Sequence, residues 1–159
     1  MKRKYWLLVY SYHHKNTEKI AKVLGKILNA KIKKPQEIKP EILQEYYLIG
    51  FGSGIYSAKN HESLLDLAEN LPNLSNKQGF IFSTAGISSE KKMHKDHARL
   101  RTILNSKGFI IDDEFQCKGF NTNSFLRFFG GINKKRPNSD DIRNAEQFAL
   151  KIKRDFLKN

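Results

Sequence analysis

Short, uninterrupted apolar runs alternate with helical periodicities along the whole chain. The strong runs are Tyr5–Tyr10, Tyr46–Phe51, Gly79–Ser83 and Phe109–Ile111, with a shorter segment at Lys31–Lys33. Runs this short and continuous predict parallel strands covered on both faces, because a strand with one wet face would alternate polar and apolar residues.

Helices are predicted between them. Ile20, Val23, Leu24, Ile27 and Leu28 share one face, with Gly25 a tolerated weak point. Leu64, Leu67, Ala68 and Leu71 form a second face that stops at Pro72. Met93, His97, Leu100 and Leu104 line a third helix, and Gly108 follows as its stop. Ile142, Ala145, Ala149, Ile152 and Phe156 line the last. Its opening, Pro137-Asn138-Ser139-Asp140-Asp141, supplies capping groups and negative charge at the positive end of the helix dipole. Strand and helix alternating at this spacing predict an α/β fold with a parallel sheet. The least regular stretch, Asp112 to Arg136, predicts a broken last strand and a long loop.

With 159 residues and no repeat, low-complexity tract or linker, the expectation is one domain over residues 1–159. A hydrophobic fraction of 39% beside 28% charged residues fits a soluble globular chain. No run of about 18 apolar residues exists, so no membrane-spanning helix is expected. The start is basic and then apolar, but its apolar part is short and lacks a small-residue cleavage site. It reads as a buried strand rather than a signal peptide. The single Cys117 has no internal disulfide partner, which fits a reducing cytoplasm. A net charge of +13 points either to an anionic partner or to a compositional bias, since the lysines are spread along the chain. No nucleic-acid-binding motif accompanies that charge.

In open parallel sheets, ligands bind beyond the carboxyl ends of the strands. After the first strand, the Ser11–Thr17 loop closes on Asn16-Thr17 at a helix start. Free N–H groups and the helix dipole suit a phosphate there; an ordinary helix cap is the alternative. The third strand leads into Gly52-Ser53-Gly54-Ile55-Tyr56-Ser57-Ala58-Lys59, and the fourth into Ser83-Thr84-Ala85-Gly86-Ile87-Ser88-Ser89. Both stretches are small and polar. No P-loop is present, and Gly50, Gly52 and Gly54 neither have dinucleotide-fingerprint spacing nor follow the right strand. One phosphate plus a flat ring held by two further loops fits better.

On these residues the chain resembles the flavodoxin family over nearly its whole length. The resemblance implies a doubly wound five-stranded parallel sheet of order 2-1-3-4-5, helices on both faces, and FMN at the switch point. In that family a Ser/Thr-rich loop ending in Gly-Asn-Thr binds the FMN phosphate. Asn16 and Thr17 match its end, Ser11 resembles its leading Ser displaced by one residue, and His14 and Lys15 replace the usual Thr and Gly. Ser53-Gly54-Ile55-Tyr56 resembles the Ser-Pro-Ile-Tyr element along the isoalloxazine, which makes Tyr56 a stacking residue and Gly54 a peptide that reorients toward N5. Ser83-Thr84-Ala85-Gly86 resembles the third loop, on the other side of the ring. His13, His14 and Lys15 form either a solvated turn or added positive charge beside the phosphate. Three departures stand out: the chain is basic where carriers of the family are usually acidic, the third loop lacks an aromatic, and Phe125–Pro137 is foreign to the family signature.

The resemblance implies electron transfer, with FMN cycling through oxidised, semiquinone and hydroquinone states and no side chain needed for acid–base catalysis. It also implies redox partner proteins, acidic ones if they dock on the basic helix region of Lys91, Lys92, Lys95, Arg99 and Arg101. An FMN-dependent reductase or oxidase acting with NAD(P)H, a quinone or a porphyrinogen is the alternative, and a basic module docking nucleic acid is the third reading. His94, Asp96 and His97 read as plain helix residues rather than a metal site, and Cys117 as structural. Gly130-Gly131-Ile132-Asn133 reads as a tight turn. If His13 and His14 supply charge, FMN affinity weakens as pH rises through about 6–7. Titrations giving equal affinity at about pH 5.5 and about pH 8 would remove that role.

Overall fold

The computed structural model describes residues 4–11, 15–120 and 131–157. Six strands and four α-helices follow in the order β1 (Tyr5–Tyr10), α1 (Asn16–Leu28), β2 (Lys31–Lys33), β3 (Leu48–Tyr56), β4 (Lys59–Asn60), α2 (Glu62–Glu69), β5 (Lys77–Ala85), α3 (Glu90–Ser106), β6 (Phe109–Lys118) and α4 (Ser139–Leu157). Two short 3-10 turns, Pro35–Glu37 and Pro40–Glu45, link β2 to β3. Among the described residues, no helix is long and apolar enough to cross a membrane.

The sheet runs β2-β1-β3-β5-β6 with every pairing parallel, and β4 adds an antiparallel flap on β3. Setting β4 aside leaves the five-stranded order 2-1-3-4-5 that the flavodoxin resemblance implies. Side chains alternate faces along each strand. Trp6, Leu8, Ile49, Phe51 and Ile81 turn toward the core shared with α2 and α3. Leu7, Val9, Leu48, Phe80 and Phe82 turn toward that shared with α1 and α4.

Three elements depart from the sequence expectation. Leu48–Tyr56 extends past Phe51, because the small residues after it still pair with β1 and β5. Tyr46 stays outside the strand and stacks on Trp6, centroids 3.8 Å apart. The last strand does not stop at Ile111. A one-residue slip between Gly79 and Phe80 leaves Asp112 over, and pairing then resumes to Lys118. Lastly, α2 ends at Glu69, before Leu71 and Pro72.

Gly52 is where packing dictates the residue type. A Cβ there would lie 2.2 Å from the Phe82 ring, which is wholly buried. Gly52→Ala is expected to destabilise the protein by roughly 1–3 kcal/mol through overpacking. Urea unfolding reads this directly, and an unchanged midpoint would show that Phe82 repacks freely.

Candidate functional site

Parallel strands place their carboxyl ends at one rim, and three chain reversals meet there. The first is the β1–α1 junction. Lys15, at the helix N-cap, adopts left-handed φ 52° and ψ 33° with no side-chain cap bond, the conformation a glycine would take most easily. Glu18 N–H donates to Ser11 Oγ at 3.3 Å. Asn16 and Thr17 fall in the first turn, not at the cap, and both are buried. Asn16 Nδ2 donates to the Phe120 carbonyl at 2.8 Å, while its Oδ1 is buried without a described partner. Thr17 Oγ1 and Thr84 Oγ1 are 2.9 Å apart. His13 and His14 lie outside the described residues.

The second reversal is a hairpin, not an open loop. Ile55 pairs with Asn60 and Tyr56 with Lys59 across a two-residue turn, Ser57-Ala58, with φ values of 50° and 59°. Ser53 is fully buried and internally bonded: its Oγ donates to the Gly54 carbonyl and accepts from Asn60 Nδ2 and from His61 N–H. The Tyr56 ring lies against Gly54, where a Cβ would stand 3.2 Å from its hydroxyl. His61 stacks on Tyr10, centroids 3.5 Å apart, and meets Tyr56 edge-on at 5.2 Å. Its Nδ1 accepts from Ser63 N–H at 3.1 Å and so caps α2. A backbone N–H only donates, so that bond requires an unprotonated Nδ1. Burial pushes the His61 pKa down, against the opposing pull of Glu62 and Asp66. A cavity of about 330 Å³ opens between Tyr10, Tyr56, Lys59 and His61.

The third reversal begins later than its sequence suggests. Ser83, Thr84 and Ala85 are the last residues of β5, buried and paired with Gln116, Cys117 and Lys118. Because neighbours in a strand face opposite ways, Thr84 reaches α1 whereas Ser83 points to α3. Gly86 begins the turn; its carbonyl accepts from Asn133 Nδ2 at 2.7 Å, and Gly119 N–H donates to the Ala85 carbonyl. Asn133, at φ 59°, and Gly131, at φ 83°, form the tight part of the following loop.

Ser83 belongs to a polar network that reasoning from sequence missed. Its Oγ is 2.6 Å from His97 Nε2 and accepts from Gln116 Nε2 at 3.1 Å. Gln116 Nε2 also donates to Asp96, which Lys92 neutralises. Arg101 grips Glu114 with two bonds of 3.0 and 2.9 Å, and His97 Nδ1 stands 3.5 Å from Glu114, too long for a strong hydrogen bond. Burial alone would raise the Glu114 carboxyl; His97 and Arg101 outweigh it and hold the group below its ordinary pKa. Cys117 is the opposite case, its thiol pushed up to about 12, chiefly by burial. The signals for this network were weak: His97 sits on an apolar helix face, and Glu114 hides beyond the slip in β6.

So the rim joins Ser11, Lys15, Asn16, Thr17 and Thr84 on the α1 side, and Gly54, Ile55 and Tyr56 on the hairpin. Ser53 and Ser83 turn inward on the opposite side of the sheet. Tyr10, Asn60 and His61 join the rim without any motif to announce them.

A protein of Methanocaldococcus jannaschii whose role is uncharacterised is 49% identical over 146 residues, covering 92% of this chain and 95% of its own. No family model matches. Among solved structures, an archaeal flavodoxin superposes with TM-score 0.67 at 18% identity, covering 96% of this chain and 99% of its own. Flavodoxin 2 of Bacillus cereus gives 0.72 at 16% identity, covering 96% and 99%. A Fusobacterium nucleatum flavodoxin bound to flavin mononucleotide gives 0.66 at 12%, again covering 96% and 99%.

The lowered Glu114 pKa fixes a sign. Its contribution is complete above the unfolded value near 4.3 and is lost as pH falls through the lower folded value. Glu114→Gln is expected to cost roughly 1–3 kcal/mol at neutral pH and to flatten the acid limb of stability. Urea melts across the acid range test this; identical slopes in both proteins would exclude the charge as the cause.

Proposed function

The chain belongs to the family of that Methanocaldococcus jannaschii protein and has a flavodoxin-like fold, and from these premises we propose that it binds one FMN non-covalently and carries electrons between redox partner proteins. The observation that supports this most is the convergence of three chain reversals at one rim, the N-terminus of α1 among them lacking a side-chain cap bond. An uncapped helix N-terminus suits a phosphate, and small residues at the other two reversals suit a flat ring, so the residues present fit FMN.

In this reading Lys15, Asn16 and Thr17, with Ser11 behind them, hold the phosphate end at the positive end of α1. His13 and His14 add charge there. Gly54, Ile55 and Tyr56 carry the ring from the hairpin side, while Thr84, Ala85 and Gly86 bound it from β5. Ser53 and Ser83 act one step back, Ser53 by bracing the hairpin and Ser83 by anchoring β5 to α3. Bound FMN supplies reversible one-electron chemistry; the protein supplies orientation and electrostatics. A cytoplasmic location suits a carrier with one buried thiol.

The enzyme reading draws on the cavity beside Tyr10, Tyr56 and His61, which offers room for a small second substrate. Stopped-flow reduction of bound FMN by NAD(P)H alone would favour it over a carrier.

Purified protein should be yellow or become so on adding FMN, with a stoichiometry near one by calorimetric titration. Tyr56→Ala is expected to weaken FMN about tenfold, the loss of one aromatic stacking contact of about 1–1.5 kcal/mol. A chain that stays colourless in excess FMN would rule out the function, and full affinity in the variant would remove the stacking role.

A further inference from the structure

We propose that the strand-end rim is a docking surface for an acidic protein, reached through lysines that the fold leaves without partners. This inference rests on the cofactor reading above, because that rim is where a bound flavin would exchange electrons.

The arginines provide the contrast. Every arginine among the described residues is committed within the chain: Arg99 to Glu69, Arg101 to Glu114, Arg136 to Asp141, Arg143 to Asp140 and Arg154 to Asp155. The basic helix region named from sequence is thereby largely neutralised, since Lys92 pairs with Asp96 as well. Lysines such as Lys19, Lys26, Lys31, Lys95 and Lys153 also lack an ion-pair partner among the described residues, but at the rim such lysines stand beside acids that are already engaged. Lys91, Lys118, Lys134 and Lys135 begin α3, end β6 and precede α4, and none has an ion-pair partner among the described residues. The acids beside them are engaged: Glu18 with Lys22, Glu62 with Lys59, Asp140 with Arg143 and Asp141 with Arg136. Glu90 is the one rim acid without such a partner among the described residues.

Parallel topology brings these four lysines to one side of the molecule although they are up to 44 positions apart. Unpaired lysines are hydrated, mobile point charges. They steer an anionic partner and release it, as a carrier requires, rather than gripping phosphates through fixed bidentate forks. Nucleic acid would call for free arginines or exposed stacking aromatics. Among the described residues the arginines are occupied, and the large exposed hydrophobic side chains are all aliphatic: Ile32, Ile42, Ile87 and Leu150. An acidic protein is the partner this charge pattern fits.

The test uses the full chain loaded with FMN, its loading read from the visible spectrum. Isotope-labelled protein is titrated with a poly-glutamate peptide and, separately, with a single-stranded oligouridylate of equal length. Amide shifts are expected to concentrate at Lys91, Lys118, Lys134 and Lys135. Peptide affinity is expected to fall at least tenfold between about 0.01 and 0.15 M ionic strength, as the Debye length shrinks from about 30 to 8 Å. The triple variant K91Q/K134Q/K135Q should lose about tenfold in peptide affinity while keeping its FMN affinity.

A kinetic arm uses two small oxidants on the fully reduced protein. Each bound cofactor gives up two electrons, one to each of two cobalt(III) complexes, which become cobalt(II), and its protons go to water. Added salt should slow the anionic EDTA complex and speed the cationic tris-phenanthroline complex. Opposite salt effects, shifts confined to the outer faces of α1 and α4, or tighter binding of oligouridylate than of the peptide would each overturn the docking surface. Absence of flavin uptake would instead overturn the proposed function, and the spectrum registers that separately.

Discussion

Parallel pairing of β1, β3, β5 and β6 is the constraint from which the rest of the molecule follows. Strands that run one way must turn back on the far side of a helix, so every strand-to-helix junction lands on the same rim. The helices then point their N-termini, with unsatisfied N–H groups and positive dipole ends, toward that rim. A rim that favours negative charge is therefore a consequence of topology before any side chain is considered. The chain adds cross-links that hold the junctions in register. Asn16 reaches the carbonyl after β6, and Thr17 reaches the end of β5. Both contacts join the first helix to strands more than 60 positions away in sequence.

The two faces of the sheet are finished differently. Toward α1 and α4 the core is aliphatic and aromatic up to the rim, with Phe80 and Phe82 filling the space that Gly50 and Gly52 leave open. Toward α3 the end of the core is polar: Ser83 bonds to His97 and Gln116, and Gln116 to Asp96, with Glu114 beside His97 and with Lys92 and Arg101 closing the outer side. A buried network of this kind contributes less to net stability than its bond count suggests, because desolvation offsets much of the attraction. Its consequence is positional. It ties the last residues of β5 to α3 and β6, so the strand end next to the candidate site cannot shift without breaking several bonds at once.

Charge is distributed by the same logic. Twenty-nine basic residues against sixteen acidic ones leave a surplus that internal pairing cannot absorb. Arginine, whose planar fork suits fixed ion pairs, is used inside such pairs among the described residues, whereas lysine is divided: Lys92 and Lys151 are paired, and others, at the rim and elsewhere, are not. The surplus is therefore not uniform in character even though it is dispersed in sequence.

The sequence by itself determined the order and type of the elements, and through them the fold. The apolar run Tyr5–Tyr10 and the short segment Lys31–Lys33 coincide with β1 and β2, and the periodic faces of α1, α3 and α4 are the buried ones. Local periodicity reports burial directly, so these were legible. Tertiary structure alone decided where strands end and which way their last side chains point. Gly52 to Tyr56 read as a loop because small residues carry no apolar signal, yet pairing with two neighbours makes them strand, and the turn waits until Ser57. Ser83 and Thr84 read as one binding loop because adjacency in sequence hides the pleat that sends them to opposite faces. Tyr10 and His61 lie 51 positions apart and meet only because β1 and β3 are neighbours. Periodicity is a property of one segment, whereas a site is a property of several, and only the pairing of strands brings those segments together.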